Sequence, residues 1–361
     1  MNKKLYFTVG PSELYPTVAE HVQSALDEKI GVLSHRGKQF EQIYKNAVDG
    51  LRTLLNVPAD SHIFFLSSAT EIWERIIENC VENTSFHCVN GSFSKRFYEF
   101  SGELGRKAYI EKADFGKGFY PDKINVPADA EIICLTYNET SSGVSMPVED
   151  INKFRAKNKE ALIFVDAVSG LPYPILDFSK IDSAFFSVQK CFGLPAGLGV
   201  WIVNQRCMDK ANSILKKGKS IGTYHTLPSL LSKGKDNQTP ETPNVWNIYL
   251  LSKVVADFNK KGVDVIRKET ELKAKLLYDY IESSENFSFA VEDPRLRSFT
   301  TIVANTKVTP AEINKKLEPF DMAIGAGYSS YKDTQVRIAN FPAISVEQME
   351  MLIKKLKELF N

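Results

Sequence analysis

From about residue 60 to residue 205, short apolar runs alternate with amphipathic or polar stretches, and no other pattern in the chain restricts its fold as much. The runs are His62-Ile63-Phe64-Phe65-Leu66, Phe86-His87-Cys88-Val89, Ile132-Ile133-Cys134-Leu135, Leu162-Ile163-Phe164-Val165, Ala184-Phe185-Phe186 and Val200-Trp201-Ile202-Val203. They are too short for helices and apolar at consecutive positions, as strands buried on both faces are. Separated by helical stretches, they predict an α/β chain built on a mainly parallel sheet.

A chain of 361 residues exceeds one minimal core, so a large domain with a smaller partner is expected. After a polar, Pro-rich passage from Gly234 to Pro243, Leu250, Leu251, Val254, Val255 and Phe258 recur at helical spacing. This helix is expected to bridge two domains, residues 1–255 and 256–361, with the N-terminal segment packing on the smaller one. The remainder reads as strand, strand, helix, strand, strand, helix. It closes on an amphipathic helix carrying Met349, Met351, Leu352, Leu356 and Leu359, a compact α+β unit.

Charge narrows the partners. The 45 Lys and Arg residues nearly cancel the 44 Asp and Glu residues, leaving +1, so there is no basic surplus for nucleic acid or anionic lipid. No run approaches the ~20 apolar residues of a membrane span. Cys80, Cys88, Cys134, Cys191 and Cys207 form no C-x-x-C pair, which disfavours a disulfide framework and a metal site and predicts buried free thiols. The segment from Met1 to Phe7 meets Gly10-Pro11 too early for a signal peptide, so the cytoplasm is the expected compartment and a small molecule the expected partner.

Three sites carry candidate chemistry. Asp166 directly follows the run ending at Val165, at the carboxyl end of a strand, where open α/β sheets bind ligands; an aspartate opening a turn would look the same. Lys190 lies between the run around Phe186 and the turn Gly193-Leu194-Pro195-Ala196-Gly197. Most lysines are solvated surface residues, but this company suits an amine that must be neutral to attack an aldehyde. Ser67-Ser68-Ala69-Thr70-Glu71 follows a strand and opens a helix, with Ser68 and Glu71 as a capping box. A helix start of this kind serves as a plain cap or as a cup for phosphate. Phosphate cup, strand-end acid and strand-end lysine together are what pyridoxal 5′-phosphate requires.

Six blocks in order then resemble the class V aminotransferases: Gly10-Pro11-Ser12, Ser34-His35-Arg36-Gly37, Asn138-Glu139-Thr140-Ser141-Ser142-Gly143, Val165-Asp166-Ala167-Val168-Ser169, Gln189-Lys190 and Val336-Arg337-Ile338-Ala339-Asn340-Phe341-Pro342. The resemblance covers nearly the whole chain and implies a fold-type-I transferase with a seven-stranded, mainly parallel sheet. It implies that Lys190 carries the cofactor and shuttles a proton, and that Asp166 holds the ring nitrogen. Ala69 and Thr70 would offer N–H groups to the phosphate, Phe93 would stack on the ring, Thr140 would touch the ring hydroxyl and Gln189 the phosphate. Gln238 and Thr239 would reach the cofactor of a second subunit, making a homodimer with shared sites. Arg337 would grip the substrate α-carboxylate, for which its planar fork is suited.

Within the family, the chain is most similar to the phosphoserine group, which implies transfer from phosphoserine to 2-oxoglutarate in serine biosynthesis. His35 and Arg36 would bind the distal phosphate. Two features depart from that group: Thr70 stands where an arginine is frequent, and Ser330-Tyr331 where His-Arg is, so phosphate recognition would be weaker or rebuilt from Lys332. The alternative is an alanine- or serine-glyoxylate type of enzyme with a small unphosphorylated substrate. A cysteine desulfurase would need a cysteine shortly before Arg337, and none follows Cys207.

Overall fold

The computed structural model describes residues 4–360. Met1, Asn2 and Lys3, part of the leading segment read above for a signal peptide, lie outside the described residues. Strand β1 (Leu5–Phe7) and helices α1 (Val18–Asp27) and α2 (Lys38–Leu55) precede the alternating region. That region contains β2 (His62–Leu66), α3 (Ala69–Cys80), β3 (Thr84–Val89), α4 (Ser92–Glu103), β4 (Lys107–Lys112) and β5 (Ile132–Thr136). A short hairpin, β6 (Asn138–Glu139) and β7 (Val144–Ser145), leads to α5 (Val148–Lys157), β8 (Leu162–Asp166), β9 (Ser183–Ser187) and β10 (Gly199–Val203).

Seven of these strands form one sheet in the order β2-β10-β9-β8-β5-β3-β4. Only β10 runs against its neighbours. A parallel crossover usually carries a helix, whereas the β9–β10 connection, residues 188–198, has none and turns back through Gly193 and Gly197, both at positive φ. The expected alternation of faces is explicit. Ile63, Phe65, Ile133, Leu135, Ile163 and Val165 point to one core, and Phe64, Leu66, Ile132, Cys134, Leu162 and Phe164 to the other. Helices cover both faces, which is why most of these strands carry apolar residues at successive positions.

Helices α6 (Gln205–Lys216), α7 (Leu227–Gly234), α8 (Val245–Lys261) and α9 (Val263–Ser283) follow. The apolar face of α8, including Leu250, Val254 and Phe258, lies wholly in the first core. The helix that crosses between cores is α9: Ile266 belongs to the first, and Ala274, Leu277, Tyr280 and Ile281 to a separate one. Beyond it come β11 (Phe287–Phe289), β12 (Thr301–Thr306), α10 (Pro310–Leu317), β13 (Met322–Ala326), β14 (Gln335–Ala339) and α11 (Val346–Phe360). Their sheet has the order β1-β13-β14-β12-β11. The N-terminal β1 joins it in parallel, Phe7 opposite Ile324. All five cysteines are free and buried. Among the described residues, no helix is long and apolar enough to cross a membrane.

Candidate active site

The carboxyl ends of β2, β3, β5, β8 and β9 face one cleft, and the chemistry collects there. Asp166 is the last residue of β8 and is 3% exposed. Its Oδ1 accepts the Val168 N–H at 3.0 Å, and its Oδ2 accepts the Trp73 indole N–H at 3.0 Å. Burial pushes its carboxyl up to about 7, against the pull of those two hydrogen bonds.

Lys190 stands three residues beyond β9. Burial, and then the charge of Arg337, bring its amine down to about 8, toward the neutral form a nucleophilic amine needs. The Nζ donates to the Val9 carbonyl at 2.7 Å. It reaches that carbonyl across Gly10, where a Cβ would lie 2.0 Å from Nζ.

The start of α3 is capped as expected. Ser68 Oγ accepts the Glu71 N–H at 3.1 Å. The return bond reaches one residue further back than a capping box would: Glu71 Oε2 accepts the Ser67 N–H at 2.9 Å and its hydroxyl at 2.5 Å. Gly199 of β10 passes so close that a Cβ would lie 2.6 Å from the Ser68 carbonyl carbon. The Ala69 N–H donates to Ser187 Oγ at 2.9 Å.

A cavity of about 460 Å³ joins these groups. Of the residues singled out from the sequence, Ala69, Thr70, Phe93, Thr140, Asp166, Gln189 and Lys190 line it. Trp73, Ser187, Val168 and Tyr328 line it as well, without having been singled out. Phe93, in the first turn of α4, lies 5.2 Å from the Tyr328 ring. Thr140 Oγ1 shares a 2.6 Å hydrogen bond with Ser169 Oγ. Gln189 Oε1 is buried with no hydrogen-bond partner, an unsatisfied polar atom beside the lysine.

Arg337, on β14 of the second sheet, does not line the cavity itself but touches two residues that do, Thr140 and Tyr328. Its Nε donates to the Ala326 carbonyl at 2.8 Å and an Nη to the Thr140 carbonyl at 3.5 Å, and its guanidinium lies 5.2 Å from the centre of the Tyr328 ring.

His35, Arg36, Gln238, Thr239 and Lys332 do not line this cavity within one chain. Arg36 braces the 238–240 segment instead, donating to Gln238 Oε1 at 2.9 Å and to the Thr239 and Pro240 carbonyls at 2.7 and 3.1 Å. Thr239 turns its hydroxyl to the Glu241 carbonyl at 2.8 Å. Glu241 in turn holds His225 Nε2 at 2.6 Å, while His225 Nδ1 meets Glu71 of the cup helix at 2.5 Å. Burial alone would lower this imidazole, but the two carboxylates outweigh it and push it up to about 9.

The set fits a flat, phosphorylated ring with a basic nitrogen and an aldehyde: a helix start for phosphate, an aromatic side chain, a buried acid, and an amine of lowered basicity. A phosphoserine aminotransferase from Cytophaga hutchinsonii is 70% identical over 100% of both chains and superimposes with a TM-score of 0.99. A phosphoserine aminotransferase of Rhodococcus opacus is 28% identical, over 97% of this chain and 93% of that one. An alanine–glyoxylate aminotransferase of Nostoc, 19% identical and covering 99% of this chain and 95% of its own, gives a TM-score of 0.84, so the fold alone does not distinguish substrates. The architecture is that of the fold-type-I transferases. With the family model "Aminotransferase class-V" matching residues 120–342 as well, the chain belongs to the class-V aminotransferases.

Proposed function

We propose that this enzyme transfers the amino group of phosphoserine to 2-oxoglutarate, giving 3-phosphohydroxypyruvate and glutamate, with pyridoxal 5′-phosphate carried on Lys190. The observation that carries the substrate is the full-length 70% identity to the Cytophaga phosphoserine aminotransferase. When bound, pyridoxal phosphate supplies an electron sink for the bond to the transferred nitrogen. The chain's own residues do the rest. The start of α3, with Ala69 and Thr70, and the side-chain amide N–H of Gln189 hold the phosphate. Phe93 stacks on the ring and Thr140 meets its hydroxyl. Asp166, as a carboxylate, keeps the ring nitrogen protonated, and Lys190 Nζ takes up and returns the substrate proton. Arg337 receives the α-carboxylate of donor and acceptor alike.

Gln238 and Thr239 complete the site of a second subunit in a homodimer, a reading supported by their position outside the cavity of their own chain. His35 and Arg36, aided by Lys332, meet the distal phosphate there. Three of the five N–H donors of Arg36 are committed to residues 238–240, leaving two for a phosphate. That commitment also favours the second reading, a small unphosphorylated donor with glyoxylate as acceptor. Five free thiols suit the reducing cytoplasm. The test is a half-reaction screen in which holoenzyme is mixed with phosphoserine, serine, alanine or glutamate and the cofactor absorbance is followed. Phosphoserine and glutamate should react fastest; faster turnover of alanine or serine with glyoxylate would establish the second reading instead.

A further inference from the structure

Asp166 faces a physical conflict. Its position at the end of β8 leaves it 3% exposed, and burial favours the neutral acid. A protonated aspartate cannot keep a ring nitrogen charged. Of the charged groups around it, Lys190 favours the carboxylate and Glu139 opposes it, so the charge depends on hydrogen-bond donors, and the structure supplies one to each oxygen. The Val168 N–H on Oδ1 is part of the turn after the strand and comes with any side chain at 168. The donor on Oδ2 is a side chain, the indole of Trp73, at 3.0 Å.

An indole nitrogen donates and never accepts, so this bond favours the ionised carboxylate. Its direction is fixed by packing. The Trp73 ring stacks on Phe97 at 5.8 Å and 15°, and meets Phe100 edge-on at 5.9 Å and 79°. Both come from α4, the helix that begins at Ser92 and carries Phe93. Trp73 also lies three residues beyond Thr70 on the helix whose start is the phosphate cup. One rigid helix therefore presents its N–H groups to one end of the bound ring and secures the acid at the other.

We propose that Trp73 is a positioning residue for the reaction: its indole N–H holds Asp166 as a carboxylate, aimed at the nitrogen of the bound ring. The inference rests on pyridoxal phosphate binding in this cavity, but not on which amino acid is the substrate. The ordinary alternative is that Trp73 is core packing whose N–H happens to find an acceptor, and Trp73→Phe separates the two because it keeps the aromatic contacts and removes the donor.

The experiment measures the dissociation constant of pyridoxal phosphate by equilibrium dialysis between pH 5.5 and 8.5, for wild type, Trp73→Phe, Asp166→Asn and the double variant. Loss of a hydrogen bond to a charged group should weaken binding by roughly tenfold or more in Trp73→Phe. The acid limb of binding should move to higher pH, since the carboxylate then protonates sooner. In the Asp166→Asn background the same substitution should change little. Trp73→His, which retains a ring N–H, should recover part of the affinity. An unchanged constant and acid limb in Trp73→Phe would overturn the proposal, and so would an equal loss in both backgrounds, which would mean packing. Should Trp73→Phe fail to fold, the indole proton resonance of Trp73 in wild type decides. It is one of three tryptophans and should titrate with Asp166 and shift on addition of pyridoxal phosphate. A resonance that does neither would reject the proposal. If wild type binds no pyridoxal phosphate, the cofactor assignment fails instead.

Discussion

Gly10→Ala is the sharpest perturbation available at Lys190. The added Cβ would lie 2.0 Å from Nζ, 2.7 Å from Cε and 2.9 Å from Cδ of the lysine. Non-bonded heavy atoms settle at about 3.5 Å, so the amine must retreat by roughly 1.5 Å and lose its 2.7 Å bond to the Val9 carbonyl. The backbone at φ +138 adds strain of about 1–3 kcal/mol. The lysine tip is flexible, so the fold should survive with a lowered melting temperature. The reaction should not fare as well, because a displacement of about 1 Å at a reacting group costs on the order of a hundredfold. Steady-state kcat/KM and the amount of cofactor fixed to the chain by borohydride are the readouts. Gly105→Ala is the control: its φ is +73 and nothing lies within 4 Å of the added Cβ, so it carries backbone strain without a collision. Gly10→Ala activity within threefold of wild type, or equal losses in the two variants, would refute the steric account.

Lys190→Ala should abolish both the cofactor fixed by borohydride and transamination; mass spectrometry that finds the reduced cofactor on another lysine would move the site. Arg337→Lys should raise KM for donor and acceptor together, with kcat/KM falling by an amount equivalent to about 2–5 kcal/mol, the cost of breaking a bidentate charged pair; unchanged kinetics in either half-reaction would exclude it from carboxylate binding. His225 is raised from about 6.5 when unfolded to about 9 when folded. Its contribution to stability is therefore fully present below pH ~6.5 and lost as pH rises through about 9. Melting temperature and cofactor retention should accordingly fall between about pH 6.5 and 9, and His225→Gln should remove most of that slope.

Six of the seven large-sheet strands are legible in the sequence because burial on both faces leaves an unbroken apolar run. The seventh, β4, is an edge strand, Lys107-Ala108-Tyr109-Ile110-Glu111-Lys112, whose half-exposed residues carry no such run. Helix α9 is hidden for a different reason. Its inward stripe is interrupted by Thr270 and Lys273, both buried, the lysine donating to the Phe341 and Ile344 carbonyls. Lys190 and Asp166 were readable because strand ends are local features. Trp73 was not: a tryptophan among Ile72, Ile76 and Ile77 reads as core, and only the fold brings Asp166, 93 residues away, to its indole. Likewise no local pattern shows that Arg36 spends its donors about 200 residues further along the chain.

The two sheets meet electrostatically at Lys190. The large domain buries the amine, and the second sheet contributes Arg337, whose charge lowers the lysine further. Among the described residues Arg337 makes no ion pair; its contacts are two carbonyls and the Tyr328 ring. An arginine whose direct contacts are neutral, with the Glu139 carboxylate acting on it without an ion pair, keeps charge that draws an incoming carboxylate. On the proposed reading, that carboxylate offsets the positive charge bearing on Lys190, so the amine, once the substrate nitrogen has displaced it from the cofactor, is more basic than in the empty cavity and a better acceptor for the substrate proton. On that reading the carboxylate contact and the proton transfer are electrostatically linked through two side chains from different sheets.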